Sequence, residues 1–313
     1  MHATQVLDVK TGDTLALTDP TQLAVFTFLA RYSGSTLTNY RYDMKVYLGW
    51  CMAHDLRPLE AQRAHLELFH RWLETTPSRM TGKPFAQATV ARMLGTVLLF
   101  YKFATIDDYI TKDPAAAVER PKVDQEQQKT PFLPPLAYAA VLTQARLMGP
   151  HPHATVAILG MLGLRIAEAC SLDVTSVSIE SGYEVIRFIG KGNKGATVPL
   201  PVPVMHAVHD AIGVREAGPL LLNNWGNRMT RHCAARIIDT ALRRAGIVGH
   251  CPPHGLRRTF VTSGLLHGVP LRKMQVGARH ASPSTTVRYD KMSGNLATHA
   301  AHEVAGYLSS MAG

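Results

Sequence analysis

Cysteine is scarce in this chain of 313 residues. The four cysteines lie far apart and form no Cys-x-x-Cys pair: Cys51, Cys170, Cys233 and Cys251. This spacing excludes a disulfide framework and a zinc knuckle, and it indicates a reducing compartment. The 15 histidines do not form a metal site in place of the cysteines, because none stands with further ligands at suitable spacing. We therefore expect no metal site.

Long apolar runs are also missing, since none approaches the roughly 20 residues of a membrane-spanning helix. The opening segment MHATQVLDVKTGDTLALTDP lacks a basic start followed by an apolar core, so we expect no secretion signal. A hydrophobic content of 46% is still enough to fill real cores, which excludes wholesale disorder. The length favours two domains of ordinary size.

Acidic residues are deficient in only one part of the chain. Residues 1–119 carry 12 Lys+Arg and 12 Asp+Glu, whereas residues 120–313 carry 21 and 11. The net charge of +10 therefore lies wholly in the C-terminal part. A basic half attracts polyanions, of which nucleic acid is the default candidate. A merely solvated basic surface is the alternative.

The N-terminal part has the pattern of a small helical bundle. After a loose arm at residues 1–20, residues 21–119 contain four or five segments with helical apolar spacing. One of them, GSTLTNYRYDMKVYLGWCMAHD, offers Ser35 or Thr36 as its N-cap. A segment rich in Pro, Gln and charge follows, and it predicts an inter-domain linker at about 120–131.

Residues 132–313 are predicted to be mainly helical around one small β-hairpin. A helix at PPLAYAAVLTQARL precedes a second one that breaks near Gly163. Val185–Ile189 and Ala196–Leu200 are β-rich runs that flank a Gly/Asn/Lys turn. Further helices are predicted at about 204–213, 230–245, 254–267, 270–278 and 295–311, with a shorter one beginning around Ser284.

Two arginines stand in unusual places. Arg165 lies in the apolar stretch ILGMLGLRIAEAC, where a guanidinium needs a partner. It either pairs with an acid such as Glu168 or points into an anion-binding cleft. In HGLRRTF, His254 and Arg257 share one helical face. They bind an anion at a helix start, or they are a capping histidine and a surface arginine.

The hairpin turn GKGNKG presents Lys191 and Lys194 on a glycine-rich tip. Further on, ARHASPSTTVRYDK places His280 nine positions before Tyr289, with a turn near Pro283 between them. The turn could bring both side chains into one cavity. The tyrosine is then either a packing residue or a nucleophile.

Together these segments supply the groups for transesterification at a phosphodiester. A phenol with a pKa near ~10 must lose its proton to attack, and a histidine can accept that proton. Arginine forks bind the non-bridging oxygens, and a lysine can protonate the departing alkoxide. Since the cations replace a metal ion, we predict a reaction without metal or other cofactor.

In this order and spacing the segments resemble the boxes of the tyrosine recombinases, or phage-integrase family, which includes integrases and Xer-type recombinases. GLRIAEACSLDV resembles the first arginine box, and GKGNKGATVPL the lysine hairpin. HGLRRTFVTSGLLHGV resembles the His-x-x-Arg box, and GARHASPSTTVRYD the final His…Tyr box. Upstream, STLTNYRYDMKVYLGWC resembles the start of the SAM-like core-binding domain. The likeness covers about residues 21–313.

The resemblance implies a mainly α fold, in which a SAM-like core-binding bundle at 21–119 precedes an α-rich catalytic domain with a small antiparallel hairpin at 132–313. It implies a site-specific DNA recombinase of the integrase type, with strand exchange through a Holliday junction. Tyr289 would attack the scissile phosphate, form a 3′-phosphotyrosyl link and free a 5′-hydroxyl. Arg165 and Arg257 would hold the phosphate.

The remaining roles also follow from the resemblance. Lys191 would be the general acid, although Lys194 is an open alternative. His254 would accept the proton of Tyr289, and His280 would hydrogen-bond the phosphate. The partners implied are double-stranded DNA recombination sites and further copies of this chain, in a cytoplasmic, nucleoid-associated tetramer.

Two positions depart from the family pattern. Ala278-Arg279 stands where Leu-Gly is usual, and Arg258 where histidine is common. If that glycine normally takes a left-handed turn, Arg279 costs roughly 1 kcal/mol or more of strain, or the turn differs. Residues 1–20 are too few for the extra arm-binding domain of many phage integrases, so we expect a minimal, two-domain recombinase.

Some expectations lie outside the catalytic boxes. Arg41, Lys45 and Arg92 of the bundle, and Lys194 of the hairpin, are candidate phosphate contacts. The C-terminal helix, 296–313, either caps its own domain or packs into a neighbouring subunit. Two rival functions share the fold: a type IB topoisomerase, which relaxes DNA as a monomer, and a catalytically silent DNA-binding protein. The two-domain layout and the complete set of catalytic side chains favour the recombinase.

Overall fold

The chain is described by a computed structural model, which covers residues 19–77, 82–121, 131–190, 194–280 and 282–290 and the single positions 305 and 309. For residues 284 and 288–290 the description is limited to the helix that contains them. The chain forms two compact units, Met1–Gln128 and Lys129–Gly313. Residues 122–130 of the predicted linker at 120–131, and the predicted helix at 295–311 apart from positions 305 and 309, lie outside the described residues.

The described helices of the first unit form the predicted bundle. Their bounds are α1 Pro20–Ala30, α2 Gly34–Ala53, α3 Arg63–Thr75 and α4 Gln87–Ile106. Aromatic side chains fill the core, where Phe28 meets Phe100 edge to face and Tyr47 meets Phe69 in the same way. Such pairs add stabilisation to the area that they bury.

The predicted cap of α2 was wrong by two or three residues. The residue that precedes the helix is Ser33, whose extended backbone turns into the helix and whose carbonyl accepts a hydrogen bond from the Leu37 amide at 3.4 Å. Ser35 and Thr36 therefore lie inside the first turn. The Ser33 hydroxyl makes no capping hydrogen bond.

Helix α4 is long and apolar enough to cross a membrane, judged by length and composition only. This corrects the expectation that no apolar run approaches that length. The helix is nevertheless the centre of the bundle, since it packs against α1, α2 and α3. Met93, Val97, Phe100 and Tyr101 on it are completely buried in the core. Its apolar character is explained by this packing.

The second unit places helices around one small sheet. The helices are α5 Pro135–Met148, α6 Pro150–Met161, α7 Ile166–Ser171, α8 Val202–Ile212, α9 Arg231–Arg244, α10 Pro253–Leu266, α11 Leu271–Gly277 and α12 Pro283–Asp290. They confirm the helices predicted between residues 132 and 290. The predicted break near Gly163 is also confirmed, because it separates α6 from α7. Helix α10 packs against α6, α11 and α12, which brings the ends of these elements together.

The sheet is antiparallel, with strand order β1-β2-β3. Strands β2 Tyr183–Gly190 and β3 Lys194–Pro199 are the predicted hairpin, with Phe188 opposite Ala196. The sequence analysis missed β1 Val177–Glu180. Ser181 and Gly182 join it to β2 with φ of 51° and 81°, a two-residue hairpin turn. Serine is not the usual residue at the first position of such a turn, so the signal was weak.

Candidate active site

Arg257 is the most deeply buried cation of the predicted site, with 1% of its surface exposed. It lies one turn into α10. Its Nη1 donates to the carbonyl of Gly163, and its Nη2 donates to the carbonyl of Ala278. One guanidinium thus joins α10 to the α6–α7 break and to the end of α11. Arg257 is a fixed part of the interior and not the surface arginine of the alternative interpretation.

Arg165 begins helix α7 and is held by the carboxylate of Glu168. Its Nη1 lies 2.7 Å from Glu168 Oε1, and its backbone amide donates to Glu168 Oε2 at 2.8 Å. The side chain of Glu168 is buried, while 35% of the Arg165 side chain is exposed. The ion pair proposed from the sequence is therefore present, and a third of the Arg165 side chain still faces solvent.

Arg279 is a second guanidinium on the same carboxylate. Its Nη2 lies 3.3 Å from Glu168 Oε2 and 3.2 Å from the Gly163 carbonyl oxygen. The residue has a φ of 54°, so it adopts the left-handed conformation considered in the sequence analysis. A non-glycine residue there costs roughly 1 kcal/mol or more. The sequence analysis considered Arg279 for its backbone alone and did not assign it to the site.

His280 follows Arg279 and faces the same cluster. Its Nδ1 lies 2.9 Å from the Thr286 hydroxyl, and its backbone amide donates to the Gln275 carbonyl at 3.0 Å. Its pKa is lowered to about 4, first by burial and then by the neighbouring charges of Arg257, Arg165, His254 and Arg279. His280 is therefore a neutral imidazole at physiological pH. The same electrostatic interactions show that the predicted arginines and histidines share one neighbourhood.

His254 lies in the first turn of α10 and is exposed as a residue. Desolvation of its ring lowers its pKa first, and the charges of Arg257, Arg165 and Arg258 lower it further. A neutral imidazole can accept a proton, whereas an imidazolium cannot. The position and the lowered pKa are both compatible with a proton acceptor.

Tyr289 and Lys191 are described less completely. Tyr289 belongs to α12, which packs against α10 and α11 and so approaches the elements that carry Arg257 and His280. Lys191 lies outside the described residues. Strand β2 ends beside the cluster, because a Cβ on Gly190 would lie 3.5 Å from Glu168 Oε1. The exposed Lys194 is the first residue of β3.

The candidate DNA contacts of the bundle have different environments. Arg41 and Lys45 are exposed and lie four residues apart on α2. Arg92 pairs with the buried carboxylate of Asp43, which also accepts from the Thr96 hydroxyl at 2.7 Å. The guanidinium of Arg92 thus compensates a charge inside the bundle, with 37% of its side chain exposed. All of these assignments stay predictions.

Two structural residues of the site were only partly visible in the sequence. Glu168 was named as a partner of Arg165, and its spacing of three residues on a helix was the signal. Gly163 was read only as a helix break. Its φ is 61°, a Cβ there would lie 2.4 Å from Phe260 Cδ1, and its carbonyl binds both Arg257 and Arg279. Among the residues that the structure describes, no group of His, Cys, Asp or Glu could hold a metal ion.

Comparison with known proteins yields one family for both units. The model of the phage integrase family matches residues 144–295, and that of the phage integrase N-terminal SAM-like domain matches residues 27–107. Tyrosine recombinase XerD of Corynebacterium glutamicum is 30% identical over 294 residues, which cover 88% of this chain and 92% of the relative. Tyrosine recombinase XerC of Pelobacter propionicus is 29% identical, over 83% and 86% of the two chains.

Solved structures share the fold. The integrase of transposon Tn1549, in complex with transposon right end DNA, has a TM-score of 0.68 at 17% identity and covers 86% of this chain and 94% of that one. The XerH site-specific recombinase, bound to a palindromic difH substrate, has a TM-score of 0.65 at 14% identity, with coverages of 93% and 90%. With the family models and the relatives, this likeness confirms the fold and family expected from the sequence. The chain belongs to the tyrosine recombinase family, and it is a site-specific DNA recombinase.

Proposed function

We propose that this recombinase cleaves and rejoins duplex DNA through Tyr289, with Arg165 and Arg257 on the scissile phosphate. The observation that carries the proposal is the cluster of two guanidiniums and two imidazoles at the ends of α6, α10 and α11. Both arginines are anchored by hydrogen bonds, Arg257 to two carbonyls and Arg165 to Glu168. Anchored cations stabilise a developing negative charge without reorganising during the reaction.

The reaction balances with the side chains of this chain alone. The phenolate oxygen of Tyr289 bonds to phosphorus as the bond from phosphorus to the 5′-oxygen breaks. His254 takes the phenol proton, and Lys191, or Lys194 beside it, gives a proton to the departing 5′-oxygen. His280 hydrogen-bonds a non-bridging oxygen. The phosphotyrosyl link conserves the bond energy, so rejoining needs no nucleotide cofactor, and the reaction uses no metal.

The same proposal includes the assembly. Relatives of this fold have been solved on DNA, and the net charge of +10 favours such a partner. Arg41, Lys45, Arg92 and Lys194 contact phosphates, and four copies on two duplexes exchange strands through a Holliday junction in the cytoplasm, at the nucleoid. Residues 296–313, most of which lie outside the described residues, join neighbouring copies. If a chain truncated after residue 295 still paired two duplexes and recombined them, this role of the tail would be wrong.

A nicked suicide substrate tests the chemistry. Duplexes selected for binding from a random pool would be nicked, incubated with the protein in EDTA and resolved on denaturing gels. We expect a covalent adduct with the wild-type chain and with Tyr183→Phe, which alters an exposed tyrosine of β2, but not with Tyr289→Phe. An adduct that survives in Tyr289→Phe would refute the assigned nucleophile. The absence of any adduct on bound DNA would favour a silent DNA-binding protein.

A further inference from the structure

Arg279 holds an energetically unfavourable backbone conformation in which its side chain makes contacts that a glycine would lack. A glycine would adopt a φ of 54° without strain. The arginine side chain instead reaches across to Glu168 and to the Gly163 carbonyl, at 3.3 and 3.2 Å. Its guanidinium also lies 5.1 Å from the centre of the Phe188 ring. The turn needs a left-handed residue, and the side chain makes contacts that the turn does not require.

The contacts change the charge of the phosphate site. Burial raises the pKa of Glu168, but hydrogen bonds from Arg165 and the charges of Arg279 and Arg165 outweigh burial and lower it overall. The carboxylate is therefore ionised, and with Arg165 alone it would form a pair of zero net charge. Arg279 adds a second cation to the same carboxylate, so the group of three carries one positive charge.

The geometry points to Arg279 as a positioning residue of the cleavage reaction. Arg279 holds Glu168 in the orientation that anchors Arg165, and it restores the positive charge that Glu168 cancels. The charge of Arg165 then acts on the DNA phosphate. This inference rests on the proposed function, in which Arg165 contacts the scissile phosphate.

The test compares charged and neutral phosphates. Wild type, Arg279→Gly and Arg279→Asn would cleave suicide substrates whose scissile group is either a phosphodiester or an uncharged methylphosphonate. Glycine and asparagine both tolerate the left-handed conformation, so the turn is retained. Arg279→Lys keeps the positive charge but loses the planar guanidinium with its several N–H donors. Arg187→Ala, which breaks the exposed pair of Arg187 with Glu180, is the matched control.

We expect Arg279→Gly and Arg279→Asn to slow cleavage of the phosphodiester by roughly 10-fold or more, less than the ~10²–10³-fold typical of a direct contact. On the methylphosphonate, the same variants should lie within about 3-fold of wild type, because this group carries one negative charge fewer in the transition state and gains less from the missing cation. Arg279→Lys should recover most of the phosphodiester rate. Arg187→Ala should match wild type on both substrates.

Two outcomes would overturn the inference while leaving the proposed function intact. In one, wild type forms its adduct and the Gly and Asn variants cleave the phosphodiester equally fast. In the other, both variants are slowed equally on the two substrates, which indicates a purely structural role. If wild type forms no adduct on bound DNA, the proposed function fails first and the inference fails with it. The two failures are thereby distinguished.

Discussion

Replacing Gly163 with alanine should damage the catalytic unit at the point where the guanidiniums of Arg257 and Arg279 meet on one carbonyl. The added Cβ would lie 2.4 Å from Phe260 Cδ1, far inside normal contact, and the backbone has a φ of 61°. The left-handed conformation costs an alanine about 1–2 kcal/mol, and overpacking a filled core costs about 1–3 kcal/mol. We therefore expect the free energy of unfolding of this region to fall by about 2–5 kcal/mol.

Native-state hydrogen exchange measures this loss locally, which matters in a chain of two units that need not unfold together. The amides of α6 and α10 should lose protection in Gly163→Ala. Gly277→Ala is a matched control, because its Cβ would meet the same Phe260 ring at an ordinary 3.8 Å and its φ is not positive. That variant should change the opening free energy by less than ~1 kcal/mol, in the range of a helix propensity.

A double-mutant cycle separates the clash from the strain. Phe260→Leu makes room for the new methyl group. In the double variant, the loss of unfolding free energy that comes from overpacking should therefore disappear, while the loss that comes from the strained backbone should remain. A loss below ~1 kcal/mol in Gly163→Ala, or one equal to that of Gly277→Ala, would refute the reasoning. A cycle with no coupling would show that the ring does not fill the space beside Gly163.

Three further outcomes follow from the same geometry. Arg257→Lys should reduce adduct formation by roughly 10²–10³-fold in the suicide assay, because one ammonium cannot hold the carbonyls of both Gly163 and Ala278. Normal adduct formation in this variant would contradict the role given to the two guanidinium nitrogens. The pKa of His280 is about 4 in the folded state and 6.5 in the unfolded state. The unfolded state therefore binds a proton first, and the free energy of unfolding should fall as pH drops from about 6.5 to about 4. Urea denaturation at several pH values should show that this free energy depends less on pH in His280→Gln than in wild type. DNA affinity should fall steeply with salt, because phosphate contacts release counterions, and a flat response in a filter-binding series would count against extensive backbone contact.

The helices and the order of the site were predictable because their signals are local. Apolar spacing predicted α9 and α10 closely, and the breaking effect of Gly163 separated α6 from α7. Strand β1 was missed because a Ser-Gly turn is a weak signal, and the cap of α2 because several hydroxyl residues stand together at its start. The turn that precedes β2 and the start of α2 are both set by backbone conformation, which the pattern of side chains does not reveal.

The long-range contacts of the site have no local signal. The bond from Arg257 to the Gly163 carbonyl joins positions 94 apart, and that from Arg279 to Glu168 joins positions 111 apart. A sequence shows that a buried cation needs an acceptor, but it does not identify the acceptor. The family resemblance places Arg257 on the phosphate without saying what holds it. The acceptor is visible only once α10 packs against the end of α6.

Gly163 shows why such a residue is easily misjudged. A carbonyl oxygen has two lone pairs, and here one oxygen accepts from both Arg257 and Arg279. The residue has no side chain to contribute, yet its backbone sets the position of two guanidiniums, and its φ and the Phe260 ring together require glycine. Substitution there displaces the carbonyl and both guanidiniums at once. A loss of cleavage in Gly163→Ala should therefore resemble the combined loss of two arginines, although no functional group has been removed.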